Sequence, residues 1–221
     1  MPDKVFIFFF LLILSVTSAR AEDGTGYMGS PNHKLLGLKR ETLSHFRFYC
    51  HDILTGTNPT AIQIVPAVPQ FNKTTWFGLV RMVDIPLTLE PELSSKLVGR
   101  GEGFYASGSQ TELNLLVVMN FALTQGKYNG STITMLGRNK VFSEVRELPV
   151  IGGSGVFRFA RGYALARTHT FDPNTMEAVV EYNVVLSSTT AQNKNKNSKP
   201  KLVLIKLPTK PTIVLSSDIR S

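Results

Sequence analysis

The sequence predicts an all-β domain, built as a closed antiparallel barrel or as a sandwich. Short runs rich in β-branched and aromatic residues follow one another from residue 43 onward. Turn residues separate these runs, and almost no segment has the apolar spacing of an amphipathic helix. About nine such runs occur within about 140 residues without a fixed-period repeat, which indicates one all-β domain.

The predicted strands, in chain order, cover residues 46–54, 60–65, 77–84, 97–107, 113–123, 131–136, 143–151, 156–170 and 178–186. Proline at position 86 is predicted to end the third strand, and residues 137–140 are predicted to connect the sixth and seventh. Residues 152–155 favour a β-turn over a phosphate-binding loop, because neither a lysine nor a helical pattern accompanies the glycines.

Two strands have unusual rows of side chains. Gly99, Gly101 and Gly103 share one face of the fourth strand, which indicates a bend or a close approach by another segment. The eighth alternates a row of large residues, which includes Arg161, with a row of small ones, as expected of a closely packed strand.

The chain ends differ from the domain at 43–190. Residues 1–21 are predicted to be a cleaved signal peptide, since a twelve-residue apolar run precedes an Ala-Arg-Ala pattern. Residues 22–42 are interpreted as a flexible lead-in, and 191–221 as a low-complexity basic tail. We therefore expect a secreted protein without a membrane-spanning helix.

The basic charge is confined to the tail and does not predict nucleic-acid binding. From residue 22 to 190, fifteen basic residues face fourteen acidic ones, whereas the tail has seven basic residues and one acidic residue. No stacked-aromatic pattern accompanies the tail charge.

Two sequons agree with secretion. Asn72 and Asn129 each begin an Asn-X-Ser/Thr pattern and are predicted glycosylation sites. Cys50 is the single cysteine, so it forms no intrachain disulfide, and its place on an apolar row favours a buried small side chain.

Common catalytic and cofactor sites are not indicated. The four histidines lack metal-ligand spacing, and no nucleotide or redox-cofactor motif occurs, so neither metal nor cofactor is expected. Polar residues on otherwise apolar strands remain as candidates: Asp52, Tyr105, Asn139, Arg146 and Arg161. An apolar wall with a few orienting polar groups suits a small aromatic ligand.

Asp52 lies on the same strand face as Phe46, Phe48, Cys50 and Leu54. A buried carboxyl there has a raised pKa and acts as a general acid, but a strand-end Asp also commonly binds a turn amide. Position alone favours neither reading. For Arg146, spacing alone favours a surface ion pair.

Four motifs resemble the plant dirigent family over roughly residues 42–187. They are His-Asp-Ile at 51–53, Gly-Arg-Gly-Glu-Gly-Phe-Tyr at 99–105, the segment 145–155 and Phe-Ala-Arg-Gly-Tyr-Ala at 159–164. The resemblance implies an eight-stranded antiparallel β-barrel, a homo-oligomer (usually a trimer, with a dimer as an alternative) and location in the apoplast.

The resemblance implies two chemistries, neither with an oxidising centre in the chain. In one, an external oxidase such as a laccase makes phenoxyl radicals of a phenol such as coniferyl alcohol, and the barrel directs their coupling to one lignan stereoisomer. In the other, pterocarpan synthases dehydrate an isoflavanol to a quinone methide and guide ring closure.

By the same resemblance, Asp52 is the acid, Arg146 the pocket arginine and Tyr105 a pocket tyrosine. Asn139 stands where lignan-forming members have a second Asp, and Ser107 where they often have another Tyr. Radical coupling is our first hypothesis, isoflavanol dehydration the second, and a non-catalytic phenolic-binding protein of the cell wall or of defence the third.

Overall fold

The computed structural model describes residues 38–191, with side chains from 41 to 189. The strands in this part of the chain are β1 (Leu38–Asp52), β2 (Ala61–Val65), β3 (Val80–Thr88), β4 (Leu97–Ser107), β5 (Leu115–Leu123), β6 (Thr132–Asn139), β7 (Arg146–Gly153), β8 (Arg161–Phe171) and β9 (Ala178–Ala191). Single 3-10 turns occupy Pro69–Phe71, Gly126–Tyr128 and Gly155–Phe157. None of the helical segments described is long and apolar enough to cross a membrane.

The strands form one closed antiparallel barrel. Their order is β1-β9-β8-β7-β6-β5-β4-β3-β2, and a short pairing of β1 with β3 at Cys50 and Leu87 closes the ring. Eight strands therefore form the barrel, and β2 adds a ninth beside β3. The prediction of an eight-stranded antiparallel barrel is confirmed.

The first strand begins earlier than predicted. β1 starts at Leu38, so residues 38–42, which were assigned to the lead-in, belong to the barrel. Glu41 pairs with Thr189 because β9 extends far enough to supply a partner. The predicted signal peptide at 1–21, the lead-in up to residue 37 and the tail from 192 lie outside the described residues.

Two predicted strand ends were also wrong. Pro86 lies inside β3, between Val83, the last β3 residue that pairs with β2, and Leu87, which pairs with β1. Pro86 has Arg100 on β4 as its register partner, whereas neither β2 nor β1 pairs with it on the other side of β3, so a missing N–H on that side costs no ladder bond. Residues 137–139 continue β6 and pair with β5 from Val117 to Leu115.

Large aromatic side chains fill the barrel, and this decides which face of β8 points inward. Phe48, Phe121 and Tyr182 are buried in mutual ring contact, with the Phe48 and Phe121 centroids 4.8 Å apart. The interior of an eight-stranded barrel is only just wide enough for the side chains that fill it. β8 therefore turns its small residues Ala164 and Ala166 inward, both fully buried.

One end of the barrel is closed by an aromatic cluster. The ring of Phe46 lies 5.0 Å from that of Tyr128 and 5.5 Å from that of Phe157, and the last two stack. Tyr128 and Phe157 come from the turns that follow β5 and β7. The cavity described below lies at the other end, where β1, β4, β6 and β8 finish.

Close packing of β4 against β5 requires glycine. A Cβ atom on Gly103 would lie 2.1 Å from the carbonyl oxygen of Val118, a distance that no side chain tolerates. Gly99 faces a similar contact with Ala122 at 2.5 Å. The predicted close approach at this row of glycines is confirmed, and Tyr105 follows Gly103 on the same face of β4.

Candidate functional site

The open end of the barrel contains a cavity of about 660 Å³. Its walls are mainly apolar, and Ile85, Leu115, Val117, Met119 and Val180 contribute to them. Asp52, Tyr105, Asn139 and Arg146 also line it, so the barrel brings together four of the five polar candidates. A cavity of this size and composition suits a ligand of a few rings with polar groups at its edges.

The first polar group lies on β1, β3 and β4, which are neighbours in the barrel, and we call it the carboxyl wall (Asp52, Arg81 and Tyr105). The Tyr105 hydroxyl donates to the Asp52 carboxylate, with distances of 3.1 Å to Oδ2 and 3.4 Å to Oδ1. Tyr105 is itself buried, 6% exposed, and burial raises the pKa of its hydroxyl well above its usual value. Tyr105 therefore stays protonated and acts as a fixed donor.

Asp52 is a titratable carboxyl that lines the cavity. Burial raises its pKa from 3.8 to about 6, while the hydrogen bond from Tyr105 and the charge of Arg81 oppose this shift. The charge of Glu177 adds to the shift. A carboxyl with this pKa exchanges its proton near neutral pH, which is the property of a general acid or base.

The alternative role of Asp52, as a turn binder, is filled by another residue. The amides of Leu54 and Thr55 donate to Glu177 Oε1 at 3.1 Å and 2.9 Å, and the Thr55 hydroxyl adds a third bond. Glu177 therefore satisfies the turn after β1. The Asp52 carboxylate is free to face the cavity.

Sequence reasoning missed Arg81. It lies on β3 directly across from Tyr105 on β4 and lines the cavity. Its guanidinium lies 6.0 Å from the centre of the Trp76 ring, within the range of a cation–π contact. The signal was present, since Arg81 alternates with the apolar inward residues Val83 and Ile85, but no motif marked it.

The second polar group lies on β6, β7 and β8, and we call it the guanidinium wall (Asn139, Arg146 and Thr168). Arg146 is only 5% exposed, so the predicted surface ion pair was wrong. Its Nε donates to Asn139 Oδ1 at 3.1 Å and its Nη1 donates to Thr168 Oγ1 at 2.9 Å. β9 and β5 separate this wall from the carboxyl wall on either side, so the two groups face each other across the barrel.

Arg146 carries a charge that no described carboxylate balances. The ion pairs found in residues 41–189 involve other side chains, and the partners of Arg146 are an amide, a hydroxyl and the Ser143 carbonyl. Burial lowers the pKa of the guanidinium, but an arginine remains charged at neutral pH. A buried cation without a counter-ion stabilises an anionic oxygen on a ligand.

The identity of residue 139 is the reason for this imbalance. An Asp at that position would sit within hydrogen-bond distance of Arg146 Nε and form an ion pair with it. Asn139 supplies the same acceptor oxygen without the charge. The hydrogen bond to Asn139 therefore keeps the Arg146 side chain in place, and its positive charge remains available to an anionic group of a ligand.

The prediction that Arg161 binds substrate was wrong. It begins β8 on the outer face, with its side chain 74% exposed and paired with Glu41. The reason is the packing described above: the interior already holds large aromatic rings, so the row of β8 that contains Arg161 points outward.

Other predicted positions lie outside the cavity. Asn72 and Asn129 are exposed next to 3-10 turns, where attachment of a glycan is sterically open, and glycosylation stays a prediction. Ser107 is buried and donates to the Thr75 carbonyl at 2.5 Å, which fixes the loop that carries Trp76. Across residues 38–191 no three His, Cys, Asp or Glu side chains form a group that could hold a metal ion.

The family model "Dirigent-like protein" matches residues 43–187. Dirigent protein 7 of Arabidopsis thaliana is 49% identical over 172 residues, which cover 78% of this chain and 90% of that protein. Pterocarpan synthase 1 of Glycine max is 45% identical over 162 residues, which cover 73% of this chain and 87% of the relative.

Solved structures show the same fold. The pterocarpan synthase dirigent protein GePTS1 matches with a TM-score of 0.64 and 41% identity, over 74% of this chain and 99% of the other. The structure of PsPTS1, also a pterocarpan synthase dirigent protein, matches with a TM-score of 0.63 and 41% identity, over 67% and 97%.

Proposed function

Because the chain belongs to the dirigent family, we propose that its cavity dehydrates a phenol with a benzylic hydroxyl group through a quinone methide and directs the ring closure that follows. An isoflavanol that becomes a pterocarpan is the substrate class. One observation carries the proposal: a single near-neutral carboxyl, Asp52, faces a guanidinium without a counter-carboxylate, Arg146, across an apolar cavity.

The first step breaks a carbon–oxygen bond. Arg146 holds the phenolate oxygen of the substrate, which lies para to the benzylic carbon. Protonated Asp52 donates its proton to the benzylic hydroxyl, which leaves as water while the phenolate electrons form the quinone methide carbonyl. Asp52 becomes a carboxylate, and the Tyr105 hydroxyl stabilises it by donating to it.

The second step closes the ring. A second phenolic hydroxyl of the substrate attacks the benzylic carbon and gives its proton to the Asp52 carboxylate. The electrons return to the first oxygen as phenolate beside Arg146, so the sum of both steps is the loss of one water. The apolar walls restrict which face of the planar intermediate the nucleophile reaches.

Stereoselective coupling of phenoxyl radicals is the second candidate, because the chain is as similar to Dirigent protein 7 (49% identity) as to Pterocarpan synthase 1 of Glycine max (45% identity). The chain would supply only binding and orientation, and an external oxidase would supply the radicals. Asn139 favours dehydration instead, because an amide replaces the acid that closure of a second lignan ring requires.

The test compares two substrates on recombinant protein. We expect a racemic isoflavanol to lose water and give one pterocarpan enantiomer, measured by chiral chromatography. Coniferyl alcohol with laccase is the parallel arm. Enantiomeric excess only in that arm would support radical coupling, and its absence from both arms would leave the phenolic-binding reading.

We also propose that the protein is secreted to the apoplast as a glycosylated homo-oligomer. The exposed apolar side chains of Leu116, Leu136 and Ile151 on the outer barrel face support self-association. Light scattering on the purified protein measures the oligomer size, and enzymatic deglycosylation of plant-expressed protein tests Asn72 and Asn129.

A further inference from the structure

Arg81 faces the cavity acid from a strand that the proposed mechanism does not use. It is the register partner of Tyr105, so the two side chains project from directly opposite positions on β3 and β4. The Tyr105 hydroxyl donates to Asp52 at 3.1 Å, and the Arg81 guanidinium is near enough to lower the pKa of both groups. Arg81, Tyr105 and Asp52 therefore form one electrostatically linked group on three neighbouring strands that line the cavity.

The charge of Arg81 is not used elsewhere in the described structure. None of the ion pairs formed within residues 41–189 includes it. Burying part of a guanidinium without a carboxylate partner is costly, and such a group persists where a nearby charge or a changing charge compensates it. The carboxyl on which the Arg81 charge acts is Asp52, which burial keeps partly protonated near neutral pH.

The Trp76 ring restricts where the Arg81 guanidinium lies. Trp76 has a left-handed backbone conformation, with φ of 54°, which non-glycine residues rarely adopt. Its amide donates to the Phe71 carbonyl at 2.9 Å and its carbonyl accepts from the Leu79 amide at 2.9 Å. These bonds hold the Trp76 backbone, and the cation–π contact with its ring restrains the Arg81 guanidinium at the cavity wall.

We propose that Arg81 is a positioning residue for the cavity acid: it orients the Tyr105 hydroxyl toward Asp52 and stabilises the carboxylate that remains when Asp52 has given up its proton. This inference deepens the proposed function and rests on it for the role of Asp52 in catalysis. Arg81 does not touch the reacting atoms. It acts on Asp52 by orienting the Tyr105 hydroxyl and by its own positive charge.

The groups that face Asp52 come from each element packed around it. Tyr105 and Arg81 approach from β4 and β3, and both favour the carboxylate. Glu177, before β9, opposes ionisation, and Tyr182 on β9 and Cys50 on β1 feel the Asp52 charge in turn. Arg81 is the cation of this set, so its removal leaves the carboxylate without positive charge on its own wall.

The test measures Asp52 directly, with and without turnover. Proteins labelled with ¹³C at the Asp carboxyl carbon are titrated by NMR, and D52N assigns the resonance. We expect R81M to raise the Asp52 midpoint by about one pH unit, which makes it a tenfold weaker acid, while R81K stays near the wild type. R100M is the matched control, because Arg100 is an exposed arginine of β4 paired with Asp84.

The pH dependence of the dehydration rate is a second measurement, and R81M should shift it in the same direction as the Asp52 midpoint. If Asp52 must be protonated, the rate of isoflavanol dehydration falls as pH rises through its pKa, and R81M should move that fall to higher pH. A merely structural role of Arg81 would lower the rate at every pH without moving the profile.

Two results would overturn the inference. The first is an Asp52 midpoint in R81M equal to that in the wild type or in R100M. The second is an effect of R81M on the Asp52 midpoint that is no smaller in a Y105F background, because Arg81 would then act by its charge alone and would not be a positioning residue for Tyr105. The NMR arm needs no substrate, so a midpoint that moves in a protein without dehydratase activity refutes the proposed function and leaves the link between Arg81 and Asp52 intact.

Discussion

The two polar walls of the cavity differ in the kind of charge that they carry. On the carboxyl wall, Asp52 titrates near neutral pH and its neighbours Tyr105 and Arg81 favour its ionised form. On the guanidinium wall, Arg146 has a fixed charge and only neutral partners, Asn139 and Thr168. One wall can exchange a proton and the other can hold an anion, so these two capacities lie on opposite sides of the cavity.

The largest expected effect comes from removing the exchangeable proton. Asp52→Asn keeps the size of the side chain and its acceptor for Tyr105, so we expect the fold to be kept and dehydration to slow about 1,000-fold. Steady-state rates with the isoflavanol measure it. Asp84→Asn, an exposed carboxyl on β3, is the control, and a rate for D52N near that of D84N would contradict a catalytic role for Asp52.

The same carboxyl should make stability depend on pH. Its folded-state pKa of about 6 lies above the unfolded value of 3.8, so its contribution to stability is complete below pH 4 and is lost as pH rises through 6. The loss amounts to about 3 kcal/mol. Urea unfolding at several pH values measures it.

D52N removes that pH dependence and should be more stable than the wild type at pH 7. Equal stability of the two proteins at pH 7, or a gap that does not close on acidification to pH 4, would argue against a buried titrating Asp52. The burial of Asp52 that lets it exchange a proton near neutral pH is therefore also the cause of the stability that the wild type loses at pH 7.

Breaking the other wall should cost less. Arg146→Met fills similar space without charge, and we expect the rate to fall about 100-fold because the phenolate loses its cation. The unfolding midpoint should change little, since the buried guanidinium has no ion pair to lose. Arg161→Met, on the exposed outer face, is the control, and equal rates in the two variants would remove Arg146 from the site.

The smallest effect should come from balancing the charge rather than deleting it. Asn139→Asp places a carboxylate on Arg146, and we expect a loss of about tenfold in dehydration rate with a gain of about 1 kcal/mol in stability at pH 7. The ion pair depresses the pKa of the new carboxyl, so the gain is lost as pH falls. Asn120→Asp, on the outer face of β5, is the control.

N139D also decides between the two chemistries. It restores the second acid of the lignan-forming pattern. Enantiomeric excess in coniferyl alcohol coupling that appears only with N139D would show that residue 139 separates the two reactions. An unchanged dehydration rate in N139D would contradict the role of the unbalanced charge.

Alternation along strands was enough to predict that Asp52 faces the interior, because the inward row of β1 is apolar and the packing agrees with it. It failed for Arg161, since pattern alone does not tell whether the large or the small row of a strand faces the core. Phe48, Phe121 and Tyr182 come from other strands, and only their combined volume excludes the large row of β8.

Arg81 and the free charge of Arg146 were out of reach for a related reason. Both features depend on contacts between neighbouring strands, whose residues are separated in sequence by distances that the topology sets. Arg81 pairs with Tyr105, and Arg146 binds Asn139 and Thr168. Spacing along the chain predicted a surface ion pair for Arg146 because Glu144 lies two residues away in sequence. That Arg146 points inward is set by the orientation of β7 in the barrel, which spacing does not reveal. The sequence already shows Asn139 where lignan-forming members have an Asp. Its effect on the charge of Arg146 became clear only from the hydrogen bond between the two side chains.

The aromatic cluster of Phe46, Tyr128 and Phe157 also limits how ligands enter and leave the barrel. It closes the end opposite the cavity, so a ligand enters and leaves through the same opening. In the proposed reaction, a pterocarpan would leave by the opening through which the next isoflavanol arrives, and the two would compete for the cavity. Turnover should therefore show competitive inhibition by its own product.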